Sequence, residues 1–106
     1  SDKSFIVNQW ELIQGKWYYF NQDGYAQPGW QLINDKWYYL GGDGVMRTGW
    51  LDDGGNWYFL DSDGARVSGW KEVKPGEWYY MDVDGRMLAG TVIDGYPLDD
   101  SGKWIR

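Results

Sequence analysis

The sequence predicts an all-β protein, a solenoid of about four tandem β-hairpins followed by a degenerate C-terminal cap. Paired tryptophans recur about every 20 residues, and a fixed period of this length is typical of repeat architectures. Each pair flanks a turn-forming segment between short runs rich in aromatic residues, which favour strands. No segment keeps the 3.6-residue period of an amphipathic helix.

The repeat unit has four parts: a first tryptophan, a turn, an aromatic tetrad that opens with a second tryptophan, and an Asp-Gly pair. The tryptophan pairs are Trp10 and Trp17, Trp30 and Trp37, Trp50 and Trp57, and Trp70 and Trp78. The Asp-Gly pairs predict turns. One extra residue in segment 74–77 breaks the 20-residue spacing, and we expect the turn to accommodate it.

The first unit predicts a hairpin whose register follows from a two-residue turn at Gln14-Gly15. The expected pairs are Ile13 with Lys16, Leu12 with Trp17, Glu11 with Tyr18, and Trp10 with Tyr19. Alternation along strands then places both tryptophans on one face. Asn34-Asp35 predicts the same turn in the second unit, and segment 53–55 predicts a longer loop in the third. Because a single hairpin is barely stable, successive units must bury their aromatic faces against one another.

The two ends of the chain depart from the repeat. Residues 1–90 are assigned to tandem units that start near the four first tryptophans, and residues 91–106 to a divergent cap with a single Trp104. Phe5, Ile6 and Val7 predict a lead-in strand or the remnant of an earlier unit.

Composition limits the functions that the chain can have. The 106 residues include no cysteine and no histidine, which excludes disulfides, thiolate zinc sites and the usual catalytic base. A net charge of −6 disfavours nucleic acid as a partner, and the apolar runs are too short for membrane insertion. Segments 61–64 and 82–85 lack the closing glutamate of a calcium loop. We therefore expect no metal, no cofactor and no catalysis.

The motif Gly-Trp, turn, Trp-Tyr-Tyr-(Phe/Leu), Asp-Gly resembles the choline-binding repeat, also called the cell-wall-binding repeat, of Gram-positive surface proteins. The resemblance covers roughly residues 9–90. It implies a left-handed superhelix of hairpins, with sites between consecutive repeats that use two tryptophans of one repeat and a tyrosine of the next. It also implies choline on teichoic or lipoteichoic acid as the ligand. The protein would be secreted and cell-wall associated, and these repeats would anchor a larger protein.

A quaternary ammonium has no N–H to donate and is recognised by the faces of converging aromatic rings. The candidate cages are Trp10 and Trp17 with Tyr38 or Tyr39, Trp30 and Trp37 with Tyr58, and Trp50 and Trp57 with Tyr79 or Tyr80. The first tyrosine of each tetrad is slightly favoured because it is Tyr in every unit. A fourth cage at Trp70 and Trp78 requires Tyr96 or Trp104 as a substitute wall. Met46 and Met87 are candidate cage floors, whereas segments 22–26 and 65–66 lack this methionine, which weakens the corresponding sites.

Two alternatives to choline binding stay open. Related aromatic repeats bind glucans or other carbohydrates, and exposed tryptophans stack well on sugar rings. A purely structural spacer would instead have its aromatic faces sealed. The oligomeric state is also open, with a homodimer among the alternatives.

Overall fold

The computed structural model describes residues 9–21, 23–24 and 28–105, so the predicted lead-in strand at Phe5, Ile6 and Val7 lies outside the described residues. The chain divides into two compact units, Ser1–Arg47 and Thr48–Arg106. In the described ranges every strand belongs to an antiparallel two-stranded hairpin, and no helix occurs. The predicted all-β fold class of tandem hairpins is confirmed.

The strands follow the repeat. The first unit contains β1 (Gln9–Ile13), β2 (Lys16–Phe20), β3 (Gly29–Ile33) and β4 (Lys36–Leu40). The second unit contains β5 (Gly49–Asp53), β6 (Asn56–Leu60), β7 (Gly69–Lys74), β8 (Glu77–Met81), β9 (Val92–Ile93) and β10 (Tyr96–Pro97). The register of β1 and β2 is the predicted one, including Trp10 opposite Tyr19 and Leu12 opposite Trp17.

Two-residue turns close the first three hairpins. Gln14 and Gly15 have φ angles of 51° and 79°, the left-handed pair that a type I′ turn requires and that matches the twist of the flanking strands. In the third hairpin Asp53 pairs with Asn56, so the turn is Gly54-Gly55 alone. The prediction of a longer loop at segment 53–55 was wrong, because Asp53 belongs to β5 and pairs with Asn56.

The extra residue of the fourth hairpin lies in a strand and not in the turn, contrary to the prediction. Lys74 pairs with Glu77 across Pro75 and Gly76, and the register shifts between Glu72 and Lys74, which marks a β-bulge. Proline holds φ near −65° and is incompatible with a type I′ turn. A β-bulge increases the local right-handed twist of a hairpin, which a type I′ turn would otherwise supply. The Gly76 N–H of the turn donates to a Glu72 carboxylate oxygen at 2.9 Å.

Acidic turns connect the hairpins, as the Asp-Gly pairs predicted. The Gly44 N–H donates to the Gly41 carbonyl at 2.8 Å, and the Asp43 carboxylate accepts the Val45 N–H at 3.0 Å. The backbone bond recurs in the later connectors, where the carbonyls of Asp61, Asp82 and Asp99 accept the glycine N–H groups. Asp63 accepts the Ala65 N–H as Asp43 accepts that of Val45, whereas in the last two connectors the Asp82 and Asp99 carboxylates accept the N–H groups of Arg86 and Lys103. Among the described residues, no group of three or more histidine, cysteine or acidic side chains could hold a metal ion.

The core consists of residues at, or directly after, the ends of the second strands of hairpins, together with Ile33 at the end of β3. Leu40, Leu60, Met81 and Leu98 are at most 3% exposed. Each forms a bridge with a residue six positions later, and the bridged residues are Met46, Arg66, Met87 and Trp104, respectively. Met46, Arg66, Met87 and Trp104 therefore occupy equivalent positions after successive hairpins. In the part of the chain described, no helix has the length and apolarity needed to cross a bilayer.

Candidate aromatic binding sites

The third residue of each tetrad, which is Tyr19, Tyr39, Phe59 or Tyr80, packs within its own hairpin. It stands directly opposite the first tryptophan in the register, which brings the two rings into edge-to-face contact. The centroid distances are 5.2 Å for Trp10–Tyr19, 5.1 Å for Trp30–Tyr39, 5.1 Å for Trp50–Phe59 and 5.3 Å for Trp70–Tyr80. These rings stabilise single hairpins.

The first tyrosine of a tetrad packs instead on the preceding hairpin. Tyr38 of β4 lies 5.0 Å from Trp10 of β1 at an interplanar angle of 65°. Tyr79 of β8 lies 4.9 Å from Trp50 of β5 at 78°. The structure thus brings Tyr38 and Tyr79 to the preceding tryptophan pairs, while Tyr39 and Tyr80 contact tryptophans of their own hairpins.

The first candidate box, in the first unit, groups Trp10 and Tyr38, whose rings are in contact, with Trp17. Trp17 shares a strand face with Trp10 by alternation and is 41% exposed. The carbonyl of Trp17 accepts the backbone N–H of Met46 at 2.8 Å, and Tyr18 bridges Val45. These contacts hold the connector of the second hairpin against the first hairpin.

The second box is a cavity of about 260 Å³ lined by Trp50, Trp57, Tyr79, Met87 and Ser101. The two indoles are 6.3 Å apart and perpendicular at 89°, so they form adjacent walls. The Met87 N–H donates to the Trp57 carbonyl at 2.8 Å. A Cβ on Gly102 would lie 2.7 Å from the Met87 sulfur, so this glycine leaves the space that the thioether fills.

The third box is a cavity of about 340 Å³ lined by Trp70, Trp78, Tyr96 and Trp104. Tyr96 lies 5.8 Å from Trp70 and 5.3 Å from Trp104, in both cases nearly perpendicular. The Trp104 N–H donates to the Trp78 carbonyl at 2.9 Å, as Met87 does to Trp57. The tail therefore supplies both substitute walls on which the fourth predicted cage depended.

The remaining predicted cage combines residues of both units: Trp30 and Trp37 belong to the first, and Tyr58 belongs to the second. This grouping stays a prediction. Within the second unit, the guanidinium carbon of Arg66 lies 6.0 Å from the centroid of the Tyr58 ring.

Carboxylates stand on the tryptophan face in the second unit. Asp52 pairs with Trp57 and Glu72 pairs with Trp78 in the strand register. In the first unit, leucines that are more than half exposed occupy this position, namely Leu12 and Leu32. Directly opposed side chains have Cβ atoms about 4.5–5.5 Å apart, so the second and third boxes carry a negative charge near one tryptophan wall.

Two titratable groups near the second box, Tyr79 and Asp99, have pKa values shifted from their usual ones. Burial raises the pKa of the Tyr79 phenol, and the charges of Glu77 and Asp99 raise it further, so the ring stays neutral. The pKa of Asp99 is lowered, chiefly because its carboxylate accepts the Ser101 hydroxyl, at 2.6 Å. Ser101 was not among the predicted site residues, since it reaches the second box from the tail and nothing in the repeat pattern marks it.

The boxes offer apolar walls and edge-to-face rings, which suit a small methylated cation, and the second and third boxes add a nearby carboxylate. The first and second boxes combine two tryptophans of one hairpin with one tyrosine of the next. The third uses Tyr96, which follows the Asp94-Gly95 turn of the short tail hairpin. Tyr96 was one of the two predicted substitute walls.

Comparison with known proteins places the chain among repeat proteins with these motifs. A family described as choline-binding repeat matches residues 7–47 and 28–69, and a family of cell wall binding repeats matches residues 68–87. No curated protein sequence matches the chain.

Several solved structures are similar to the chain. Choline binding protein F from Streptococcus pneumoniae is 39% identical with a TM-score of 0.89, over 94% of this chain and 34% of that chain. The choline binding domain of Spr1274 in Streptococcus pneumoniae is 41% identical with a TM-score of 0.71, over 76% of this chain and 96% of that one. The pneumococcal cell wall endolysin from phage Cp-1, solved with choline, is 40% identical with a TM-score of 0.64, over 96% and 32%.

This chain spans about a third of the length of choline binding protein F and of the endolysin. The repeat motifs, the tandem hairpins and the matched family residues agree with one another. The chain belongs to the choline-binding repeat family.

Proposed function

We propose that this chain binds choline groups on cell-wall teichoic or lipoteichoic acid and thereby anchors a larger protein to the outside of a Gram-positive cell. The observation that carries the proposal is the pair of open aromatic cavities in the second unit, each with perpendicular rings. Rings packed shut would have supported a structural spacer instead.

The chemistry of the walls favours a quaternary ammonium. Indole and phenol faces attract a cation at about 0.5–2 kcal/mol per well-placed ring. The cavities are near or below the lower end of the roughly 300–1,000 Å³ typical of sites for drug-sized ligands, which suits a small head group. The carboxylates of Asp52 and Glu72 add attraction for a positive charge.

The relatives support the same ligand. The phage Cp-1 endolysin was solved complexed with choline, and choline binding protein F was solved in the presence of a peptidoglycan analogue. We transfer the choline ligand to the first, second and third boxes of this chain. We expect the repeats to act as a binding module without a catalytic role.

Several weak boxes on one chain suit a polymer that presents many choline groups. Linked sites gain from effective concentration, which raises the overall avidity by about 10²–10⁴-fold when the geometry permits simultaneous engagement. We therefore expect free choline to displace a choline-bearing polymer only at concentrations that fill several boxes at once.

The direct test is a titration of the protein with choline chloride, followed by tryptophan fluorescence and calorimetry. Choline should saturate the signal and elute the protein from a resin with tertiary ammonium groups, whereas soluble glucan should do neither. Trp57→Leu should weaken binding, and Val83→Ala, in an exposed connector position, should leave it unchanged. Saturable binding of glucan without a response to choline would contradict the proposal and favour carbohydrate recognition.

A further inference from the structure

The second box stands in the more acidic of the two units. Its five lining residues all belong to Thr48–Arg106. That unit contains eleven acidic and six basic residues, a net charge of −5, whereas Ser1–Arg47 contains five and four, a net charge of −1. Most of the net negative charge of the protein is therefore carried by the unit that holds this box.

Asp52 places one of these charges beside the Trp57 wall. Because Asp53 and Asn56 flank the two-residue turn and form a hydrogen-bonded pair, Asp52 and Trp57 form the next, non-hydrogen-bonded pair. The Cβ atoms of such a pair lie at the short end of the range of about 4.5–5.5 Å. Asp52 is exposed and lies on the same strand face as Trp50, so its carboxylate stands on the side of the hairpin where the ligand binds.

A second carboxylate stands behind Ser101, which lines the box. The Ser101 hydroxyl donates to Asp99 Oδ1 at 2.6 Å. Burial raises the pKa of the Tyr79 phenol, and the charges of Glu77 and Asp99 raise it further, so the Asp99 charge also acts on this wall. The ammonium of Lys103 acts on Asp99 and offsets part of its effect. We therefore expect Asp52 to contribute more than Asp99.

The other two boxes differ at the position of Asp52. The first box has Leu12, which is 55% exposed, opposite Trp17. The third box has Glu72, whose carboxylate accepts the Gly76 N–H of the turn at 2.9 Å. The first and second boxes therefore give the clearest comparison, because one register position carries an apolar side chain in one and a carboxylate in the other.

Free choline and phosphate-linked choline present different charges to such a box. Both carry the same trimethylammonium group, but in the linked form an anionic phosphate follows after two methylene groups. Carboxylates at the edge of the box attract the ammonium of both forms and repel the phosphate of the linked form. Each pair of unit charges about 6 Å apart changes binding about threefold in water-like surroundings, and more where water is partly excluded.

We propose that the second box prefers choline as a lone cation over choline with an adjoining phosphate, and that Asp52 and Asp99 determine this preference. The first box, with Leu12, lacks it. This inference rests on the proposed choline-binding function. It implies that a titration with free choline overstates how tightly the second box binds a polymer whose choline groups are linked through phosphate, and that the first box contributes relatively more to polymer binding.

The test compares two small probes, choline chloride and glycerophosphocholine, by two-dimensional NMR of the indole N–H signals. For each box the readout is the Kd for glycerophosphocholine divided by the Kd for choline, so that differences in overall affinity between boxes cancel. In low salt this ratio should be at least about threefold larger at Trp57 than at Trp17. The difference should shrink as added salt screens the charges.

Three variants assign the preference to single positions. Asp52→Asn should lower the ratio at Trp57, and Asp99→Asn, which keeps an acceptor for the Ser101 hydroxyl, should lower it by a smaller factor. Leu12→Asp should raise the ratio at Trp17. As a matched control, Asp94→Asn removes the same charge from the tail turn, where asparagine tolerates the φ of 53°, and should leave the ratio at Trp57 unchanged.

Equal ratios at Trp57 and Trp17 in the wild type would overturn the inference. So would an unchanged ratio at Trp57 in folded Asp52→Asn, or an equal fall in Asp94→Asn. If Trp17 responds to neither probe, the comparison of the wild type with Asp52→Asn at Trp57 decides. If no indole responds to either probe, the proposed function itself fails, which is a different result.

Discussion

Replacing Tyr79 by leucine tests the assignment of the first tyrosine of each tetrad to the ligand box. Tyr79 contacts Trp50 at 4.9 Å and lines the second box. Loss of one ring should remove about 0.5–2 kcal/mol of cation–π attraction, which weakens choline binding at this box about 2- to 30-fold. Loss of the ring pair should also lower the free energy of unfolding by about 0.5–1.5 kcal/mol.

The assay for Tyr79→Leu is an NMR titration with choline that follows the indole N–H signal of Trp57, because this signal reports the second box alone. Tyr79→Phe keeps the π face and should stay close to wild-type affinity. Tyr80→Leu removes a ring that packs on Trp70 of its own hairpin and should reduce stability while leaving the Trp57 response intact. Wild-type affinity in Tyr79→Leu, or equal losses in Tyr79→Phe and Tyr79→Leu, would refute the reasoning.

Three more outcomes follow from the second and third boxes. Trp104→Leu removes one of the four rings that line the third box, so the choline affinity reported by the Trp78 indole signal should fall about tenfold. The affinity reported by Trp57 should not change, and equal losses at both signals would contradict separate boxes. Asp52→Asn should weaken choline at Trp57 in low salt, with the difference shrinking as added salt screens the charge, and a salt-independent difference would rule out an electrostatic cause. Because the folded-state pKa of Asp99 lies below its usual 3.8, its stabilisation of the tail is present above that pH and is lost as the pH falls through the lowered value. Choline affinity at Trp78 should therefore show an acid step that Asp99→Asn lacks.

The hairpin itself could be predicted from local sequence. A turn dipeptide fixes which residues stand opposite each other, so Gln14-Gly15 was sufficient to pair Trp10 with Tyr19. The fourth hairpin shows the limit of this reasoning. The insertion was visible, but its place depended on the fixed φ of Pro75, which shifts the extra residue into the strand as a bulge.

The sequence predicted that aromatic boxes exist, but it did not identify every residue that lines them. Tyr38 and Tyr39 are chemically identical in sequence, and their roles differ because a neighbouring hairpin lies on one side. Contacts between residues far apart in sequence hold the neighbouring hairpin in place. One of them is the hydrogen bond from the Met46 N–H to the Trp17 carbonyl, and no local sequence pattern predicts it. Ser101 and Trp104 reach the second and third boxes from the tail for the same reason.

Because the first and second boxes draw walls from two successive hairpins, and the third from a hairpin and the tail, a bound ligand clamps each junction. Occupied boxes add RT ln(1 + [L]/Kd) to the stability of the assembled array. A module engaged with the wall should therefore be stiffer and more resistant to proteases and pulling forces than the same module free in the medium. The choline-bearing polymer to which this protein binds would therefore also stabilise the protein.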